Sequence, residues 1–361
     1  MTEKMALDTY KLLGRSGLRV SPLSLGTMTF GEDWGWGADA SESRRIFDMY
    51  ADQGGNFIDT SVNYTNGSSE KLIGEFIKNR RERFVIGTKF SMMREAGNPN
   101  SGGNHRLNII RSLEQSLRQL GTDYIDLLYL HAWDDTTSAE EIIRVLDDLV
   151  RSGKVMYLGI SNTAAWRIAQ MQTIADLRGW SPLVALQIEH SLAERTGERE
   201  LFLMAKELGL GIVPYSPLAG GILSGKYRSE NFQEHTASAE VSGTRTDLNA
   251  SLGNFTPHNL KIVNTVREIA AEIGCTSAQV ALRWSLTKPG VTSPIVGART
   301  LQQLEQNLGA LEVSLNDDQL KRLNDVSNFE AGYPHDFIES PMIKGLVFGE
   351  IDHSNLSRKS K

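Results

Sequence analysis

Short apolar runs alternate with longer segments of helical periodicity along almost the whole chain. The first such pair is VSPLSLGTM, beginning at Val20, and ASESRRIFDMYADQGG. NFIDT from Asn56 precedes SSEKLIGEFIKN, FVIGTKF from Phe84 precedes HRLNIIRSLEQSLRQLG, and YIDLLYLHA from Tyr124 precedes SAEEIIRVLDDLVRSGK. VMYLGISN from Val155, PLVALQIEH from Pro182, LGIVPYSPL from Leu210 and VTSPIVGA from Val291 continue the series, each followed by a further amphipathic stretch. The short runs are apolar at nearly every position, as strands covered on both faces must be. The longer segments repeat apolar residues at three- and four-residue spacing. In IIRVLDDLV, Ile142, Val145, Leu146 and Leu149 fall on one face, with Arg144, Asp147 and Asp148 pointing away. Ser138 ahead of Glu141 predicts a capping box, and Gly121, Gly153 and Gly209 predict helix ends.

Eight strand-then-helix units, each about 30 residues long, predict an α/β fold: a (β/α)₈ TIM barrel forming a single domain over residues 1–361. An open, doubly wound sheet is the alternative that periodicity alone leaves. Three segments depart from the repeat. KLLGRSGLRVSPL, with a turn at Arg15-Ser16-Gly17, predicts an N-terminal β-hairpin capping the barrel floor. Residues 219–257 are polar and rich in Gly and Ser, and predict a long loop insertion at the C-terminal face after the seventh strand. Residues 328–361 predict an irregular C-terminal tail ending in Arg358, Lys359 and Lys361.

Charge and composition narrow the class. A formal net charge of −6 disfavours nucleic acid and anionic membrane as partners. The single cysteine, Cys275, excludes an intrachain disulfide, and EIGCTSAQV around it reads as a helix boundary carrying a small buried thiol. MTEKMALDTY lacks the apolar core of a secretory signal. No stretch approaches the ~20 continuous apolar residues of a membrane helix. A cytoplasmic protein is the expectation, and no metal site is expected.

A barrel of this kind carries its chemistry at the C-terminal ends of its strands. The polar residues there are Asp59 and Tyr64 after the second strand, Lys89 at the end of the third and His131 at the end of the fourth. They suit proton transfer to a carbonyl oxygen. A free tyrosine, with a pKa near ~10, is a poor acid at neutral pH. A neighbouring ammonium stabilises the phenolate, and a carboxylate keeps that ammonium charged and in place. A histidine beside them orients the carbonyl or relays the proton, according to tautomer.

With these motifs in view, the chain resembles the aldo-keto reductase superfamily from KLLGRSGLRVSPLSLGTMTFG to PIVGARTLQQLEQNL. GGNFIDTSVNY matches the signature around the family's catalytic Asp and Tyr, VIGTKF the strand bearing its Lys, and DLLYLHAWD the strand bearing its His. The resemblance implies NADPH-dependent reduction of aldehydes or ketones, with Asp59, Tyr64, Lys89 and His131 as the catalytic set and Tyr64 as the general acid. The same residues serve an alcohol or sugar dehydrogenase running in reverse. A non-catalytic NADPH-binding regulatory subunit, similar to the reductase-like β-subunits of potassium channels, also keeps the barrel and much of this set.

By the same resemblance, Ser161, Asn162 and Gln187 hold the nicotinamide carboxamide and Tyr215 stacks on the ring. Ser216, Leu218 and Gly220 contact the pyrophosphate, with Lys226 folding over it. Gly220 to Lys226 fits G-x-x-x-x-G-K, but Tyr227 replaces the hydroxyl residue that a phosphate-binding loop places on magnesium, so triphosphate hydrolysis is rejected. Arg299, Gln303, Gln306 and Asn307 face the adenosine end, Arg299 as clamp for a 2′-phosphate, which favours NADP over NAD. Thr27, Met28, Asp59 and Gly297 complete the expected cofactor contacts. Phe30, Trp34, Trp36 and Trp133 predict an aromatic rim for a small carbonyl or alcohol substrate, with Tyr333 and Phe337 of the tail as a closure. An oligomer is compatible with the family, which includes monomers and larger assemblies.

Overall fold

A computed structural model describes residues 2–227, 232, 249–250, 253–349 and 351. β1 (Lys11–Leu12) and β2 (Arg19–Val20) pair antiparallel as the predicted hairpin. The other eight strands are β3 (Ser24–Gly26), β4 (Phe57–Asp59), β5 (Val85–Phe90), β6 (Ile125–Leu130), β7 (Val155–Ser161), β8 (Leu183–Glu189), β9 (Gly211–Tyr215) and β10 (Ile295–Gly297). They run parallel in the order β10-β3-β4-β5-β6-β7-β8-β9. A bridge between Ile212 and Val291 ties β9 to the segment entering β10, and the sheet becomes a nearly closed (β/α)₈ barrel. The open-sheet alternative is thereby excluded.

The hairpin plugs the floor. Leu13 and Val20 are buried with Phe57, Val85, Leu127 and Val213 of the barrel interior. Gly14, at φ +56°, allows this approach, since a Cβ there would lie 2.3 Å from the Val184 carbonyl oxygen. Higher in the same interior, a Cβ at Gly159 would lie 2.4 Å from the Tyr129 ring, so glycine makes room for that phenol beneath the mouth.

The outer layer is built from α1 (Ala40–Asp52), α2 (Ser68–Ile77), α3 (Arg106–Leu120), α4 (Ala139–Arg151), α5 (Ala165–Arg178), α6 (Leu201–Leu208), α7 (Pro257–Ile273), α8 (Ser277–Leu286), α9 (Leu301–Leu308) and α10 (Asp317–Val326). Gly121 and Gly209 end α3 and α6 in the left-handed conformation, and Gly153 follows the C-cap of α4 at φ +74°. Ser138 caps α4 by accepting the Glu141 N–H at 3.2 Å. The predicted box is half-formed, because the Glu141 carboxylate accepts the Arg106 N–H at 3.0 Å instead. Asp147 departs from the amphipathic reading and is 1% exposed. It accepts the Ser181 backbone N–H at 2.8 Å, satisfying a partly buried donor just ahead of β8.

α8 lies outside the eight-unit pattern. Nearly every one of its residues is buried, so its sequence carries no amphipathic period to announce it. With α7 and α10 it forms a second core around Ile262, Val266, Val280, Trp284 and Leu323. Cys275, in the turn between α7 and α8, is partly exposed rather than buried. The tail also differs from expectation: it carries α11 (His335–Glu339) and α12 (Pro341–Phe348), short helices entered at Pro334 and Pro341. Of the predicted insertion, a 3₁₀ segment spans Ala219–Ser224. Residues 228–231, 233–248 and 251–252 lie outside the described residues, as do Arg358, Lys359 and Lys361. Among the described residues, no helix is long and apolar enough to cross a membrane and no metal-binding cluster occurs.

Candidate active site

Four groups scattered over 73 positions of sequence meet at the C-terminal mouth of the barrel, from Asp59 at the end of β4 to His131 just past β6. Lys89 is buried in β5, and its ammonium donates to Asp59 Oδ2 at 2.7 Å, to the Thr60 carbonyl at 2.7 Å and to the Tyr64 hydroxyl at 3.2 Å. All three ammonium protons therefore have acceptors. Asp59 Oδ1 accepts from the Gln187 amide at 2.7 Å, which fixes the carboxylate from its other side. Burying an ion pair is costly, and this one is tolerated because both partners are hydrogen-bonded throughout.

Burial acts to lower the pKa of Lys89, but the Asp59 carboxylate and the Tyr64 hydroxyl outweigh it, so the ammonium is held above its ordinary value. Burial raises that of Tyr64, and the opposing pull of Lys89 is smaller. The expectation that the lysine brings the phenol below its usual range is thus corrected: the phenol keeps its proton at neutral pH. The Lys89 ammonium also lies 4.7 Å from the Tyr64 ring centroid, and the His131 ring 6.0 Å from it. His131 is pushed down to about 3, first by burial and then by the positive charge of Lys89. It is a neutral imidazole at any working pH. Its Nδ1 lies 3.4 Å from Ser61 Oγ. The Ser61 hydroxyl also donates to Asn63 Oδ1 at 2.8 Å, so the tautomer of His131 sets whether its other ring nitrogen donates or accepts. The pH profile of kcat/KM is accordingly expected to lack a break near ~6.5, the ordinary histidine value; a break there that vanishes in His131→Gln would contradict this.

Backbone strain is concentrated at the same mouth. Among the described residues, the seven non-glycines with positive φ are Thr65, Asn66, Ser91, Asp135, Asn162, Ser216 and Ala219. Every one follows the C-terminal end of a barrel strand. Each such conformation costs roughly 1–3 kcal/mol, a cost typical of segments that aim functional groups. Asn162 shows the use: its amide donates to the His131 carbonyl at 2.9 Å while its oxygen accepts from the Tyr215 hydroxyl at 2.8 Å.

The mouth opens into a cavity of 1360 Å³. Asp59, Tyr64 and His131 line it, with Lys89 sealed behind them. Met28, Asn162, Gln187, Tyr215, Ser216, Leu218, Gly220, Lys226, Gly297, Arg299, Gln303, Gln306 and Asn307 also line it, as does Trp36. Thr27 does not: its hydroxyl is buried against the Asp59 carbonyl at 2.9 Å. Phe30 is 0% exposed and packs edge-on against Phe76, a core residue rather than a rim one. Trp34 sits edge-on to Tyr64 at 6.4 Å, and Trp133 donates to Asp135 with Arg167 over its face. Glu32, Asn63, Met92, Thr276 and Ala278 line the cavity without having been anticipated. Asn63 and Met92 flank the Tyr64 and Lys89 motifs in sequence and were within reach of that signal. Thr276 and Ala278 were not, since they depend on α8.

The cavity exceeds the ~300–1,000 Å³ of an ordinary small-ligand site and has room for a dinucleotide together with a substrate. Ser161 Oγ is buried at the mouth end of β7 with no hydrogen-bond partner, but unlike Asn162 and Gln187 beside it Ser161 does not line the cavity. The N-termini of α8 and α9 reach the cavity at Thr276 and Arg299, where backbone N–H groups and the helix dipoles favour anions. The residues present fit a nicotinamide dinucleotide.

A parallel barrel with a buried ammonium and carboxylate holding a phenol on the wall of a cavity at its strand ends fits an oxidoreductase. The aldo/keto reductase family model matches residues 22–328, and the chain belongs to that family, whose members generally use nicotinamide cofactors. The chain is 40% identical over 329 residues to "Uncharacterized oxidoreductase YrpG" of Bacillus subtilis (strain 168), covering 88% of this chain and 95% of that protein. It is 34% identical over 360 residues to an aryl-alcohol dehydrogenase [NADP(+)] of Phanerodontia chrysosporium, covering 95% and 89%. It is 33% identical over 347 residues to norsolorinic acid reductase of Aspergillus flavus, covering 93% and 85%.

Proposed function

We propose that this protein reduces an aldehyde or ketone to the alcohol with NADPH, using Tyr64 as the general acid. The observation that carries the reading is the Lys89 ammonium, bound at once to Asp59 and to the Tyr64 hydroxyl on the cavity wall. A reduced nicotinamide, when bound, supplies the hydride. Tyr64 holds a proton above neutral pH and gives it to the carbonyl oxygen as negative charge develops there. Lys89 stabilises the phenolate left behind, and Asp59 keeps Lys89 charged and aimed. His131, neutral, orients the carbonyl when its tautomer carries the proton on the nitrogen facing the cavity. Ser161, Asn162 and Gln187 are the groups that hold the carboxamide, and Tyr215 covers the ring. Ser216, Leu218, Gly220 and Lys226, which line the cavity, would contact the pyrophosphate.

Trp36 on the cavity wall, 5.8 Å from Trp34, favours substrates with an aromatic ring. The aryl-alcohol dehydrogenase among the relatives makes the reverse direction, alcohol oxidation by NADP, a reading of the same site. The deciding assay follows nicotinamide absorbance with both cofactors against aryl aldehydes, ketones, sugars and their alcohols. NADPH bound but never oxidised by any carbonyl would sink the catalytic reading in favour of a regulatory subunit.

Cofactor choice rests on Arg299, whose guanidinium has no partner among the described residues and stands at the start of α9. A charge-assisted phosphate contact is worth ~1.5–3 kcal/mol. Arg299→Ala is therefore expected to weaken NADPH binding by roughly 10- to 100-fold and to leave NADH binding within about twofold. Fluorescence titration with both cofactors reads this; equal losses for the two would remove Arg299 from the clamp.

A further inference from the structure

The two helices of the tail present an apolar surface that nothing among the described residues covers. Neither α11 nor α12 contains a buried residue, although α12 reads PMIKGLVF. Tyr333, Phe337, Ile338, Met342, Leu346 and Val347 are between 51% and 86% exposed. A helix of eight residues does not persist alone in water, and one apolar on most sides needs another surface to bury it. From these fractions the six residues together expose on the order of 700 Å². That area approaches the ~800 Å² that each partner contributes to a standard interface.

The surface is held in a fixed place. His335 Nε2 lies 2.8 Å from Glu200 Oε1, and the Arg199 guanidinium donates to the Ala331 carbonyl at 3.4 Å, so the tail is tied beside the N-terminus of α6. The charges on the two helices already have partners within the chain. His335 meets Glu200, Lys344 pairs with Glu339, and Asp336 accepts the Gly332 N–H at 2.9 Å. A face without uncompensated charge has little to attract a nucleic acid or an anionic lipid surface. It does match itself, because an isologous contact sets each group opposite its own copy's neighbours and tolerates apolar groups best. We propose that this face is a dimer interface, with α11 and α12 of one copy packing on α11 and α12 of a second copy.

Sedimentation equilibrium and light scattering on the full chain are expected to give twice the 40.0 kDa of one chain at tens of micromolar. Leu346→Glu and Met342→Lys are each expected to return it to a single-chain mass, with a melting temperature equal to that of wild type diluted below the dimer range. Hydrogen exchange of the wild type supplies a measurement independent of any variant: amides of residues 333–348 are expected to slow about tenfold as concentration crosses the dimer range. A wild type that stays a single chain overturns the proposal, whether the tail amides are protected against the chain's own surface or the protein pellets with phosphatidylserine vesicles. A dimer that survives both substitutions, with tail exchange independent of concentration, overturns it too, by placing the interface elsewhere.

Discussion

Tyr64→Phe is expected to lower kcat for carbonyl reduction by about 10³-fold or more while the Kd for NADPH changes less than about twofold. General acid catalysis contributes ~10²–10⁴-fold, and the two titratable groups next to Tyr64 are ill suited to replace the lost proton. His131 is neutral, with its pKa pushed to about 3, and Lys89 stays held by Asp59 and Thr60 behind the cavity wall. Removing one oxygen leaves the ring, its contact with Trp34 and the cofactor surfaces in place. Single-turnover kinetics with preloaded NADPH isolates the step. Substantial turnover in this variant would mean that another group is the acid.

Lys89→Met carries the largest stability cost expected for a single substitution in the site. It strands the Asp59 carboxylate, 3% exposed, with Gln187 as its remaining side-chain partner. Removing one member of a buried pair typically costs ~3–5 kcal/mol, while replacing both by neutral groups is often close to neutral. The double variant Asp59→Asn/Lys89→Met is therefore expected to recover most of the lost stability in chemical denaturation, to within about 1 kcal/mol, and none of the lost activity. That split would mark the pair as kept for chemistry rather than for folding. Recovery of both, or of neither, would argue against it.

The barrel was legible because its signal is local. Strands covered on both faces must be apolar throughout and surface helices must be amphipathic, so each unit declares itself within its own residues. The hairpin was legible for the same reason, through its turn at Arg15-Ser16-Gly17. Failures came where burial was unusual. α8 is enclosed on nearly all sides and loses its period, and Asp147 turns inward to serve the Ser181 backbone donor in the segment leading into β8. Phe30 looks like a rim aromatic in sequence but fills the space beside Phe76.

For the mouth of the barrel, the chain's own order determined which residues stand at strand ends, and so which four come together. Tertiary structure decided their states. Whether Tyr64 is a stronger or weaker acid than a free phenol depends on how much water reaches it against how close Lys89 lies, and here burial prevails. Whether His131 is charged depends on the same two quantities, and both act in one direction. Gln187, matched by resemblance to a cofactor contact, is also the group that braces Asp59 from across the barrel, 128 positions away. Residue identity follows from sequence, but protonation and partnership are set by distance and solvent exclusion, which only the closed barrel defines.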